Sequence, residues 1–319
     1  MMKFYPEGIL INKCENINSF VSIENLEKAF TEHKILESKA ILCDSNHNLI
    51  VDLGVIKGII PREEVSIGIR EGTVKDIAII SKVNKPVCFI IDRFEKNIAG
   101  HKTAILSRRY AQELCLKNYI LQLKPGNIIS AKVTHLERFG AFTDIGCGIT
   151  SFLPIDTISV SRIAHANERF YVDMNIKVVI KYLEKNKIYL SHKELLGTWE
   201  ENASLFSVGE TVTGIVRAIE NYGIFVELTP NLAGLADPKS NIKIGNNVSV
   251  YIKNIIPDKM KIKLTIINSF ENICTKPKLK YFYDKDHIDS FLYSPVTSSR
   301  VIQTIFSKNK YMYSSRCYS

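Results

Sequence analysis

Hydrophobic and polar residues alternate along much of this chain with the two-residue period of a β-strand. In GNIISAKVTHLE (126–137), Ile129, Ala131 and Val133 fall on one face and Ile128, Ser130 and Lys132 on the other, as in a strand with one side buried. KVVIKYLEKNKIYLS (177–191) and SVYIKNIIPDKMKIKLT (249–265) each read as strand, charged turn and strand. Two stretches leave this rhythm. SRRYAQELCLKNYILQL (107–123) and HKELLGTWEENASLF (192–206) each follow a terminal strand, run into a glycine and are predicted to be helical connectors. The second holds Trp199 among Leu195, Leu196 and Leu205, a set suited to packing against a sheet. SIENLEKAFTEH (22–33), opening on Ser22, predicts a short helix in the N-terminal segment 1–33.

The strands recur in blocks. GNIISAKVTHLERFGAFTDIG (126–146) lies over GETVTGIVRAIENYGIFVELT (209–229), matching Gly126 with Gly209, Val133 with Val216, Phe139 with Tyr222, Gly140 with Gly223 and Phe142 with Phe225. Each block has room for about five short strands, the number a small Greek-key barrel of the OB type needs. A weaker copy aligns GIIP (58–61) with SFLP (151–154) and AILSRR (104–109) with IYLSHK (188–193). It carries Asn46, His47, Asn48 and Ile50 around the positions of the aromatic pair and reads as a degenerate barrel. The predicted class is therefore dominated by β structure, with tandem five-stranded OB-fold barrels joined by short helices. Its spans are 34–110, 123–193 and 207–267, followed by a basic, tyrosine-rich tail, 271–319. Within the tail KLKYFYD is expected as a strand, DHIDSFLY as a short helix and SKNKYMYSSRCYS as disordered.

The formal charge of +9 favours a polyanionic partner. Phe139 and Phe142 are three residues apart, which in an unbroken strand would send them to opposite faces. A glycine-assisted break at Gly140 is expected to rephase the strand so that both rings share its outer side. Exposed rings among cations form a stacking platform for bases. Around the second-barrel pair lie Lys132, Arg138, Lys181 and Lys187; around Tyr222 and Phe225 lie Arg217, Lys253, Lys261 and Lys263. The loop SVSRIAHANERFY (159–171), with Arg162, His165 and Arg169, fits two roles, a cover over RNA or a solvated helical insertion.

Other chemistry finds no handle. The seven cysteines are scattered, with no C-x-x-C, which fits a reducing cytoplasm rather than a zinc site or disulfide framework. Neither H-E-x-x-H nor a phosphate-binding, nucleophile-elbow or dinucleotide motif occurs. Asp52, Asp144 and Glu227 recur once per block and read as turn residues, and Cys147 as a small buried residue. No enzyme activity, metal or cofactor is expected, nor a secretory signal or membrane span.

The run G-x-x-x-x-(A/G)-x-V-x-x-(L/I)-E-x-(F/Y)-G-(A/I)-F, followed by an apolar strand, a strand–turn–strand and LS, resembles the S1 domain, the OB-fold RNA-binding repeat of ribosomal protein S1. The likeness is strong over 123–193 and 207–267 and weak over 34–110, and the domain order resembles bacterial relatives of that protein. It implies binding of single-stranded RNA through the aromatic pairs, with association with the small ribosomal subunit in translation as a further expectation. The family's basic position before the last strand is matched by Lys187 and Lys261. Its histidine after the third strand is not: Pro154, Asp237 and Pro61 stand there. Its acidic position meets Leu183 and Pro257, with Glu184 and Asp258 one step away. Two other roles stay open, an RNA-presenting subunit of a processing or decay enzyme and a protein-interaction scaffold. The lysines around the rings disfavour a scaffold, because protein interfaces are depleted in lysine.

Overall fold

The computed structural model describes residues 3–96, 100, 102–184, 187–271 and 279–306. Lys276 and Lys278 of the tail, and the stretch 307–319 expected to be disordered, lie outside these residues. The described residues are mostly strands, closed into three five-stranded barrels, so the expected tandem OB architecture is the one the chain adopts. By internal contact the chain forms two compact units. One is Met1–Leu123 with Ser130–Lys132 and Asp144–Thr150; the other is Lys124–Ile129 with Val133–Thr143 and Ser151–Ser319.

In the first unit α1 (Cys14–Ser19) and α2 (Ile23–Thr31) precede the strands β1 (Leu36–Cys43), β2 (Leu49–Asp52), β3 (Lys57–Ile60), β4 (Pro86–Lys96) and β5 (Lys102–Ser107). These close in the order β1-β2-β3-β5-β4, with α3 (Ile77–Ile80) before β4 and α4 (Arg108–Asn118) after β5. The weak copy is thus a complete barrel. Leu36, Leu49, Val51, Ile60, Phe89 and Leu106 fill it, joined by Leu26 and Ala29 of α2. Each large apolar side chain so buried contributes about 1.5–3 kcal/mol. Ser22 caps α2 by accepting the Asn25 N–H at 3.2 Å, and Ser107 caps α4 by accepting that of Tyr110 at 2.9 Å.

The start of α4 turns Arg108 inward, where it is 1% exposed. Its Nε and second terminal nitrogen donate to the two carboxylate oxygens of Glu7 at 2.6 and 3.0 Å. Glu7 also accepts the Cys88 N–H at 3.1 Å and faces Lys82 at 3.2 Å. Burial alone would raise the Glu7 carboxyl; Arg108 and Lys82 outweigh it and hold it at about 2. Asp144 accepts the backbone N–H groups of Glu7, Gly146 and Gly148, and Asp52 that of Gly54. Both act as turn residues. Cys147 is buried, as read.

The second barrel comprises β6 (Ile128–Glu137), β7 (Gly140–Asp144), β8 (Thr150–Pro154), β9 (Asn175–Glu184) and β10 (Lys187–Ser191), closed as β10-β8-β7-β6-β9. Then α5 (Trp199–Ala203) leads into β11 (Thr211–Glu220), β12 (Gly223–Thr229), β13 (Leu232–Ala236), β14 (Asn247–Ile256) and β15 (Lys261–Phe270), closed as β11-β12-β13-β15-β14. Thr198 caps α5 in a reciprocal box with Glu201. Trp199 packs in the core of the second unit with Leu195, Val216, Leu232 and Ile262.

The loop 159–171 is not simply a solvated insertion, since Ser159, Ser161, Ala166, Arg169 and Phe170 are buried while Arg162 is exposed. It packs on the third barrel, the Ser161 N–H donating to Pro230 O at 3.1 Å and that of Val160 to Asn231 Oδ1 at 3.0 Å. The tail reading also changes. KLKYFYD forms no strand among the described residues, and DHIDSFLY is extended rather than helical, containing β16 (Ser290–Leu292), which pairs with β17 (Gln303–Ile305). Residues 279–306 run as a strap over the second unit. Tyr281 Oη accepts the Lys177 N–H at 3.0 Å, Phe282 N–H donates to Leu195 O at 2.9 Å, and Ile128 N–H to Asp286 O at 2.9 Å. Its own Ile288, Phe291, Tyr293 and Phe306 are buried in the core of that unit. The apolar residues of DHIDSFLY anchor the strap by burial, which overrides their short helical spacing.

Candidate nucleic-acid interface

The aromatic pair is set by a hairpin. Glu220 pairs with Gly223 across β11 and β12, so Asn221 and Tyr222 form the turn between them. Arg138 and Phe139 hold the same place between β6 and β7. The first ring of each pair is therefore a turn residue and the second a strand residue. Strand parity does not apply across a turn, so no rephasing within a strand is involved. Gly140 is required here: its φ is +153°, and a Cβ on it would stand 2.3 Å from Leu153 O. Phe139 O accepts the Ile155 N–H at 3.0 Å, fixing the turn against the end of β8.

Phe139 and Phe142 stand edge to face with centroids 6.3 Å apart at 87°; Tyr222 and Phe225 repeat this at 6.2 Å and 89°. Phe139 and Tyr222 are the more open rings, 56% and 66% exposed. Phe152 of β8, which sequence reading passed over, lies 5.7 Å from Phe139 and 5.3 Å from Phe142 and completes a three-ring cluster. His135 lies at 6.4 Å from Phe142 and within 2.8 Å of Glu137.

The strand registers place one row of side chains across each barrel. In the third it runs Phe225, Leu235, Lys263, Asn254 over β12-β13-β15-β14. In the second, Phe142 meets Phe152, whose register partner Tyr189 is opposite Tyr182. In the first, the row is Ile50, Ile59, Ile105, Arg93. The equivalent row is thus mainly aliphatic in the first barrel, where Ile105 is buried and Arg93 exposed, aromatic in the second and mixed in the third.

The twelve expected site residues separate by partner. Arg138, Lys187, Lys261 and Lys263 are exposed, and Lys181 is half-buried on β9. Lys253 is exposed and bonded to Asp237 at 2.7 Å, which lowers the Asp237 carboxyl below its ordinary value and offsets the misplaced negative charge. Lys132 Nζ donates to Glu7 O at 3.1 Å in the first unit and is half-buried. Arg217 corrects the expectation most clearly. It grips both oxygens of Glu227 at 2.8 and 3.1 Å and also bonds Glu168, and its side chain is only 12% exposed. Arg169 bonds the same Glu227 from the loop. Glu227, read as a turn residue, is instead the centre of a buried two-arginine, two-carboxylate network, so Arg217 serves the packing of the second unit rather than phosphate.

Among the described residues no cluster of three or more His, Cys, Asp or Glu is placed to hold a metal. No described helix is long and apolar enough to cross a membrane.

Residues 122–193 match the model of the S1 RNA binding domain. The small ribosomal subunit protein bS1 of Rickettsia conorii is 28% identical over 317 residues, covering 90% of this chain and 53% of that protein. The bS1 homolog of Bacillus cereus is 30% identical over 246 residues, covering 71% of this chain and 61% of its own length. The chain thus spans about half of the first of these relatives. A crystal structure of a multidomain protein with nucleic acid binding domains from Streptococcus pneumoniae aligns over 74% of both chains at 13% identity with a TM-score of 0.24.

Proposed function

For this S1-domain protein, related to bacterial ribosomal protein S1, we propose binding of single-stranded RNA by the second and third barrels, acting in translation in association with the small ribosomal subunit. The observation that carries this is the aromatic pair, reproduced on two barrels with the same separation and the same edge-to-face angle. Stacking on such rings is worth about 1–3 kcal/mol per base and tolerates any base, because every base has a π-face. Arg138 and Lys187 on the second barrel, and Lys261 and Lys263 on the third, supply exposed charge for phosphates. Two modest sites on one chain gain affinity through effective concentration.

The test is fluorescence anisotropy with a labelled single-stranded RNA across a salt series. The intact protein is compared with a folded variant carrying Phe139→Ala, Phe142→Ala, Tyr222→Ala and Phe225→Ala. Micromolar binding that falls at least tenfold in the variant is expected. No binding by the intact protein, or equal binding by both, refutes the reading.

The first barrel serves a different partner. Its half-buried Ile50 and Ile59 offer no π-face, while Ile41 and Leu42 are 45% and 55% exposed at the end of β1. We assign it a protein contact. Hydroxyl-radical footprinting in which this barrel protects RNA as well as the other two would overturn that assignment.

A further inference from the structure

The second barrel carries more aromatic surface than the pair explains. Tyr182 and Tyr189 are register partners on β9 and β10, with rings stacked 4.4 Å apart at 21°, and both are half-exposed. Tyr189 is also in register with Phe152 across the parallel β8–β10 pair. From Phe142 to Tyr182 the row therefore crosses four neighbouring strands on one face, about 14 Å at the usual strand spacing. Lys181 flanks the far end and the exposed Lys187 lies at the start of β10. The third barrel keeps the first ring of this row and then diverges, with Lys263 and Asn254 where the second has Tyr189 and Tyr182.

Resting on the RNA reading above, we infer that Tyr182 and Tyr189 form a second base-stacking platform, so that the RNA strand crosses the second barrel from the β6–β7 turn to the β9–β10 hairpin. A parallel-stacked pair differs in kind from the edge-to-face pair at the turn. It presents one broad aromatic face continuous with Phe152, on which a base lies flat, with the flanking lysines positioned for its phosphates. The second barrel is then the principal base-binding module, and the third contributes mainly charge beyond Tyr222 and Phe225.

A cross-strand tyrosine pair also steadies its own hairpin, so the test separates binding from folding. The full-length protein is titrated with labelled oligouridylates of 4, 8 and 12 nucleotides, and thermal unfolding is followed on each variant. Tyr182→Val with Tyr189→Val is expected to weaken binding to the 8- and 12-mers by about fivefold or more, with less effect on the 4-mer. Tyr182→Phe with Tyr189→Phe retains the platform and binds within twofold of the intact protein. Where the valine variant unfolds, Tyr189→Thr alone, a neutral β-branched residue that keeps strand propensity, takes its place with a loss in the same direction. Cross-linking to 4-thiouridine RNA should map to the peptide 175–191. If the intact protein binds no RNA, both readings fall. If Phe139→Ala with Phe142→Ala weakens binding, while the tyrosine variants match the intact protein at every length and no cross-link maps to 175–191, the RNA reading stands and this inference is wrong.

Discussion

The value of a cation to a polyanion depends on what already holds it. Lys187 is open, whereas Arg217 is enclosed by Glu168 and Glu227. Lys187→Ala should weaken RNA binding and reduce the slope of log affinity against log salt by about 0.7, measurable in the anisotropy series. Glu227→Ala should act on folding instead, because it leaves the buried Arg169 without its carboxylate and Arg217 with Glu168 alone; a loss of about 3–5 kcal/mol is expected in urea unfolding. His192 provides a further test. Burial pushes its imidazole down to about 4, against the opposing bond from Nδ1–H to Ile158 O at 2.9 Å, with Arg169 adding repulsion. The unfolded chain takes up the proton near 6.5 and the folded chain only near 4, so this contribution is complete above pH 6.5 and is lost as pH falls towards 4. It amounts to about 2 kcal/mol by pH 5, and His192→Gln should remove that share of the acid sensitivity of the second unit. Of these residues, sequence exposed the type but not the partner. Repetition made Phe139, Phe142, Tyr222 and Phe225 legible, since Gly140 and Gly223 mark the same turn twice. Arg217 looked equally suitable, and only the arrival of Glu168 from another block shows why it is not.

At the scale of elements, a short hairpin turn does what an irregular strand was expected to do. Gly140→Ala would press a methyl group onto Leu153 O and the Phe152 ring. Lost stability together with weaker RNA binding is expected, the latter because Phe139 leaves the cluster. Melting temperature and anisotropy on one preparation would show both. The strap of residues 279–306 is the element least visible beforehand. Its basic and tyrosine-rich composition resembles a tail, and its long-range pairings, such as Ile128 with Asp286 and Ile288 with Gly126, leave no periodic trace in its own sequence. Phe291→Ala should therefore destabilise the second unit by about 3–5 kcal/mol, seen as a lower urea midpoint, with RNA affinity unchanged while the protein is folded. Tyr182 and Tyr189 escaped notice for a related reason: seven positions apart, they meet only once the register of β9 against β10 is known.

Across the whole molecule, three copies of one barrel have kept their strand order while one surface row has changed chemistry. Backbone pairing fixes the first property and tolerates the second, since outward side chains carry little of the core. Trp199 adds a consequence of another kind. It is the chain's one tryptophan, 2% exposed, and its N–H backbone group donates to Tyr293 O at 2.9 Å. The second unit thus carries the tryptophan emission, excited selectively at the red edge, while the first has only tyrosines, Tyr5, Tyr110 and Tyr119. Red-shifting emission on denaturation reports the loss of the second unit alone, while circular dichroism sums over both. Where the two curves coincide, the units melt as one; where they separate, the gap measures the independent stability of the barrel that lacks the aromatic row.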